Sequence, residues 1–316
     1  MYDLGFGFPK AVLEVLEMMY TPRLGINVMD LQYCAYDGKP ELIRHIQKLT
    51  GKKHVIITNG CTQAINICLR ALKRAEGYNS VLTNQYTFSY YLNMIEKAGL
   101  NHVKVNDVST HNNFDKALKL IDMPSNPFGQ IHNIVDLYNN TIWDSVYNNK
   151  VYINDLTPFT VQARVEVGSV SKLFGVTGVR IGFIATNIES DFNLFYDEVK
   201  YENCTLSVLS QDLVIDIFDK LDMDKFMTVA QNRVNCNRDE FMKLNSFFDN
   251  QEVAENGMFH VVNVDNKGID IIDKAGVEYI TLDTERNNKL IRFNLAQNNT
   301  ITKQAIQAII STDRIK

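Results

Sequence analysis

Between residues 54 and 186, short apolar runs alternate with amphipathic stretches, and this alternation restricts the fold more than any other feature. The runs HVIITNG (54–60), SVLTNQ (80–85), HVKVND (102–107), LKLIDMP (118–124), VYIND (151–155), RVEVGSV (164–170) and RIGFIAT (180–186) read as strands. Helical periodicity falls at 10–20, 40–49, 61–72, 89–99, 113–119 and within 129–149. Strands separated by helices predict an α/β fold with an open, mostly parallel sheet. Past about residue 205 the texture changes. A long helical stretch covers 208–249, three short strands fall at 257–264, 277–283 and 290–296, and a helix at 302–311 follows. That order predicts a smaller α+β C-terminal domain. The expected division is an N-terminal segment, 1–30, packed on the small domain, a large domain 31–205, and the small domain 206–316, linked by a helix.

Composition narrows the function. A chain of 316 residues exceeds one small core. The net charge of −5 and the lack of a Lys/Arg cluster argue against a nucleic-acid groove. Cys34, Cys61, Cys68, Cys204 and Cys236 are scattered and odd in number, so neither a metal site nor a disulfide framework is expected. A reducing, cytoplasmic location is expected on the same ground. No secretory leader is expected from MYDLGFGFPK, and no apolar run reaches membrane-spanning length.

In parallel α/β sheets, ligands bind beyond the C-terminal strand ends. Four polar clusters fall at expected strand ends: Asn59–Gln63, Asn126, Asp155 and Ser169–Lys172. In TNGCTQAI, a strand gives way to a helix through Asn59-Gly60, leaving the N–H groups of Cys61, Thr62 and Gln63 for a phosphate. A plain strand–turn–helix with Thr62 as cap is the alternative. In GSVSKLFGVTGVR (168–180), Ser169, Ser171 and Arg180 are suited to phosphate oxygens. Lys172 between them is either a counter-charge or a nucleophilic amine able to form a Schiff base.

SVSKLFGVTGVRIGF resembles the S-x-S-K-x-F-G-x-x-G-x-R-x-G signature of fold-type I, class I/II aminotransferases, which depend on pyridoxal 5'-phosphate (PLP) and include the histidinol-phosphate aminotransferases. The resemblance implies that Lys172 holds PLP as a Schiff base and that Ser169 and Arg180 bind its phosphate. Further segments are similar in the family's order. YDGKPELIRHI implies that Tyr36 reaches the partner subunit's site in a homodimer. TNGCTQAI implies the phosphate cup, and NQYTFSYY implies Tyr86 stacked on the pyridine. SNPFG implies Asn126 at the phenolic oxygen, VYINDL implies Asp155 at the pyridine nitrogen, and LIRFNLA implies Arg292 on a substrate α-carboxylate. Singly, each has a plainer reading: a turn or cap for Asp155 and Asn126, packing for Tyr36 and Tyr86, a solvent-facing strand residue for Arg292.

Two departures follow from this register. Asp155-Leu156-Thr157-Pro158 lacks the tyrosine of the family's D-E-A-Y. Only 17 positions separate Asp155 from Lys172 (172 − 155), which leaves little room for a crossover helix. The expected activity is amino transfer between an amino acid or amine and a keto acid, with Lys172 as general base. A decarboxylase similar to threonine-phosphate decarboxylase and a non-catalytic binding module are the alternatives. Phe6, Phe8, Tyr33 and Tyr36 line an apolar substrate pocket or belong to the core.

Overall fold

The structure, a computed structural model, describes residues 1–22, 25, 31–108, 116–131, 137–154, 161–244, 254, 256–285 and 288–314. Strand β1 (Tyr2–Asp3) and helices α1 (Lys10–Met19) and α2 (Pro40–Thr50) precede the large sheet. Then come β2 (His54–Asn59), α3 (Gly60–Glu76), β3 (Ser80–Asn84), α4 (Tyr91–Lys97), β4 (Asn101–Val105), β5 (Ala117–Asp122), β6 (Leu137–Asp144), β7 (Ala163–Ser169), α5 (Val170–Phe174) and β8 (Ile181–Thr186). Three helices follow, α6 (Glu189–Asn203), α7 (Val208–Lys220) and α8 (Met223–Met242). The chain continues through β9 (Phe259–Asp265), α9 (Asn266–Lys274), β10 (Val277–Glu278), β11 (Ile280–Glu285), β12 (Asn288–Asn294) and α10 (Asn299–Arg314).

Seven strands pair in the order β2-β8-β7-β6-β5-β3-β4. All run parallel except β8, which is antiparallel to both β2 and β7. Every residue of β5 and β8 is buried, as expected for strands covered on both faces. Helix α3 turns Ala64, Ile65, Cys68, Leu69 and Leu72 onto this sheet and stops at Gly77 in the left-handed region. A second, antiparallel sheet has the order β11-β12-β9.

The expected α/β class and mainly parallel sheet are present, but several elements differ from expectation. The stretch expected as a helix within 129–149 contains the central strand β6. Ile142 of β6 pairs with Leu120 and Val165, and Trp143 is buried. The polar run Asn139-Asn140-Thr141 hides the strand pattern. Asn140 is held by donating its side-chain amide to Ala117 O at 2.8 Å. Conversely, the expected strand at 151–155 is not a strand: 151–152 are turn, and Asp155 lies outside the described residues. Val151, Tyr152 and Ile153 are apolar because they are buried in the core, not because they pair. Residues 117–119, expected to end a helix, already belong to β5. The long helix expected over 208–249 is two, because Asp222 caps α8 by accepting from Lys225 N at 3.1 Å. Helices α6 and α9 were not anticipated.

The N-terminal segment is laid along the C-terminal part. β1 pairs with β10 through Tyr2 and Val277. Leu4 O accepts from Asn294 N at 2.7 Å. The fully buried Asn294 side chain donates to Phe6 O at 2.7 Å and Phe8 O at 2.8 Å. Among the described residues no helix is long and apolar enough to cross a membrane.

The tightest approach in the large sheet lies at the head of α3, where a Cβ on Gly182 would run into the backbone of Gly60 and Cys61. Gly182→Ala is therefore expected to lower stability by about 1–3 kcal/mol. Gly178→Ala, whose Cβ meets nothing within 4 Å, should stay within about 0.5 kcal/mol. Urea unfolding of both variants checks the contrast.

Candidate active site

The close packing of β8 against the start of α3 sets one wall of a cleft of about 880 Å3. Gly60 has φ +76°, and a Cβ there would meet the Arg180 guanidinium. Arg180 itself sits at φ 60°, a left-handed conformation that costs a non-glycine residue energy. Helix α3 has no side-chain cap at Asn59 and no acid in its first turn. Its leading N–H groups and positive dipole end are thus left for an anion, and Cys61 and Thr62 line the cleft there. Gln63 is turned elsewhere: its side chain accepts from Asn59 N at 2.6 Å and donates to Glu202 at 3.2 Å.

Strand β7 delivers Ser169, which caps the short helix α5. Ser169 Oγ accepts from Ser171 N at 3.0 Å and lies 2.8 Å from Ser171 Oγ and 2.9 Å from Ile181 O. This pins the turn before Lys172, whose carbonyl accepts from the Tyr152 hydroxyl at 2.9 Å. Lys172 Nζ donates to Gly7 O in the N-terminal segment. Burial, then Arg292 and Arg180, pull its amine down to about 8.

Two carboxylates also line the cleft. Asp122 and Asp144 end adjacent strands, are register partners, and are both buried. Asp144 accepts from the Tyr91 hydroxyl at 2.7 Å and from Val146 N at 3.0 Å. Asp122 accepts from Thr87 Oγ1 at 3.1 Å and Asn126 N at 2.8 Å. Burial raises both, Asp122 to about 7. Burial and the neighbouring Asp144 likewise push up the Cys61 thiol.

Arg292 enters from β12. Its guanidinium carbon stands 4.0 Å from the Phe259 ring centroid, and Nη1 donates to Asn126 Oδ1 at 3.1 Å. Among the described residues its Nε is buried with no hydrogen-bond partner. A buried orphan donor of this kind calls for an acceptor.

Of the residues expected from sequence, the cleft gathers Cys61, Thr62, Tyr86, Asn126, Ser169, Ser171, Lys172, Arg180 and Arg292. Tyr36 is not among its lining residues. It packs edge-on to Tyr196 at 6.1 Å, with Lys200 Nζ 5.7 Å from its ring centroid. Phe6 and Phe8 line the cleft, whereas Tyr33 is 84% exposed and does not. Sequence reasoning missed Asp122, Asp144, Tyr147 and Phe259. A signal was present: Asp144-Ser145-Val146-Tyr147 keeps the D-x-x-Y spacing, and both of its end residues line the cleft. The register that places the motif at Asp155 leans on a strand at 151–155; residues 151–154 are not a strand, and Asp155 lies outside the described residues.

This donor set fits PLP. An uncapped helix end with Ser169, Ser171 and Arg180 suits a phosphate, a buried primary amine suits an aldehyde, and a buried carboxylate suits a protonated ring nitrogen. Residues 8–309 match the family profile "Aminotransferase class I and II". A probable kynurenine–oxoglutarate transaminase of Saccharomyces cerevisiae is 24% identical over 302 residues, covering 78% of this chain and 65% of that protein. The tyrosine aminotransferase of Bos taurus is 26% identical over 209 residues, covering 57% of this chain and 44% of that protein. The chain thus spans about two thirds and less than half of these relatives. The crystal structure of an aromatic aminotransferase from Pyrococcus horikoshii has the same fold, with TM-score 0.75, 16% identity and coverage of 99% of this chain and 96% of that one. YbdL of Escherichia coli, whose structure is titled for a methionine aminotransferase function, gives TM-score 0.77 at 16% identity, covering 98% and 93% of the two chains.

The lowered Lys172 pKa carries a direct expectation. Only the neutral amine attacks an aldehyde, so borohydride-trapped labelling by PLP should rise with pH through a midpoint near 8. An unburied lysine would instead titrate at about 10.4. Mass spectrometry should place the label on Lys172, and a midpoint near that of free lysine would contradict the burial described.

Proposed function

This chain belongs to the class I and II aminotransferases, and from that premise we propose that it moves an amino group between an L-amino acid and a 2-oxo acid, with PLP as cofactor. The observation that carries the reading is the convergence of Lys172, Arg180 and Arg292 with the buried pair Asp122 and Asp144 in one cleft.

The contacts support the following roles. The head of α3, Ser169, Ser171 and Arg180 would hold the phosphate. Asp144, in place of Asp155, would pair with the ring nitrogen. Asn126 and Tyr147 would hold the phenolic oxygen, and the Tyr86 ring would support the pyridine. When bound, PLP supplies an electron sink for charge developing at the substrate Cα. Arg292 exchanges its bond to Asn126 for the substrate carboxylate, which also satisfies Nε. Lys172 Nζ, kept poorly basic by burial, takes the proton from Cα and returns it. Phe6 and Phe8 line the cleft on either side of Gly7, whose carbonyl accepts from Lys172 Nζ.

The walls favour a large apolar or aromatic side chain, since Phe6, Phe8, Tyr86, Tyr147 and Phe259 all line the cleft. The names of the two curated relatives, a kynurenine–oxoglutarate transaminase and a tyrosine aminotransferase, point the same way. A homodimer in which Tyr36 completes the partner's cleft belongs to the same reading, as do the division at about residue 205 and a cytoplasmic location. The decarboxylase alternative leans in part on an absent tyrosine, and Tyr147 in the cleft speaks against that part.

The test is product analysis with holo-protein, aromatic amino acids and 2-oxoglutarate. A 2-oxo acid and glutamate are expected, whereas carbon dioxide and an amine would overturn the reading. Lys172→Ala should lose at least about a hundredfold in kcat. Arg292→Ala should raise KM by about ten- to a hundredfold. A larger loss in Asp155→Asn than in Asp144→Asn would return the ring-nitrogen role to Asp155.

A further inference from the structure

Among the described residues, two hydrogen bonds link the three-stranded sheet to the loops that follow β3 and β5. On β12, Arg292 Nη1 reaches Asn126 Oδ1 at 3.1 Å. On neighbouring β11, Asp283 Oδ2 accepts from the Tyr86 hydroxyl at 2.9 Å. The first bond engages groups that the proposed reading gives to substrate and cofactor, so it is exchanged when the cleft fills. The second uses a hydroxyl and a carboxylate to which that reading gives no ligand, so it persists.

The backbone around Asp283 is shaped for this contact. The pairing of β11 with β12 shifts register between Thr281 and Asp283. Such irregularities beside a site re-aim side chains. Thr281 and Leu282 line the cleft, while Asp283 meets Tyr86. The ring of Tyr86 has a second support: Phe128 lies edge-on at 5.6 Å with 77° between the planes. Phe128 follows directly on Asn126-Pro127, so the ring is held between the Asn126 turn and the three-stranded sheet. A phenol fixed at its edge and at its hydroxyl has little freedom left about either side-chain torsion.

We propose that Asp283 is a positioning residue: it holds the Tyr86 hydroxyl so that seating of the three-stranded sheet sets the plane of the Tyr86 ring in the cleft. The inference rests on the reading of Tyr86 as the ring that lies against the cofactor. The bond to a carboxylate is charge-assisted, which gives a small contact a measurable hold.

The experiment combines hydrogen exchange on the cofactor-free protein with visible circular dichroism of the PLP-loaded protein. Asp283→Ala and Tyr86→Phe should each raise exchange in 85–90 and 280–283 by roughly tenfold, and the double variant should raise it by less than the two effects combined. In loaded protein, Asp283→Ala should shrink the visible dichroic band and raise KM about tenfold. Asp283→Asn, which keeps an acceptor oxygen, should restore most of both. If Asp283→Ala does not fold, Tyr86→Phe tests loss of the bond, with Asp283→Asn as the near-wild-type control. Unchanged exchange at 85–90, additive effects in the double variant, or an unchanged visible band would each overturn the proposal. Failure of the wild type to bind PLP would instead sink the functional reading, and the exchange data would still decide the clasp.

Discussion

The contact between two glycines, Gly60 and Gly182, is the constraint on which the cleft depends. It arises because β8 runs backwards between β2 and β7 and begins where α3 begins. With no Cβ at either position, strand and helix close together. That closeness brings Arg180, immediately before β8, to the open end of α3. It also fixes Ser169, whose hydroxyl lies 2.9 Å from Ile181 O, and through Ser169 the turn that carries Lys172. The anion-binding end of the cleft and the reactive amine are thus consequences of one backbone approach, not of separate placements.

Charges of both signs line the cleft. Lys172, Arg180 and Arg292 are all there, and the two arginines add to burial in weakening the lysine's hold on its proton. Asp122 and Asp144 end neighbouring strands in the same cleft, where burial favours their neutral forms. Tyr91 and Thr87 donate to one carboxylate each, which offsets part of that cost. A ligand carrying both an anionic and a cationic end finds groups of opposite sign for each.

The parts of this arrangement that were legible in sequence are those made by consecutive residues. The lysine segment and the TNGCTQAI turn carry their own geometry, since a strand, a turn and a helix start lie within a few positions. Asp144 was not legible for a physical reason. Its strand is central, yet Asn139, Asn140 and Thr141 interrupt the apolar pattern, and Asn140 is accommodated only because Ala117 O on β5 accepts its amide. The apolar run at 151–153 misled in the opposite sense, since core burial and strand pairing select the same residue types. Helix α6 escaped because its sequence is mixed all round. Phe259 and Gly7 reach the cleft only through long-range packing that no local pattern encodes.

The partner of the Lys172 amine is a main-chain oxygen, Gly7 O, and not a side chain. No replacement at position 7 can delete that acceptor. It can be withdrawn only by shifting the whole segment, which the Asn294 amide grips on both sides of Gly7. Loss of that contact therefore comes by way of residues that hold the segment, and position 294 is where it would first be felt.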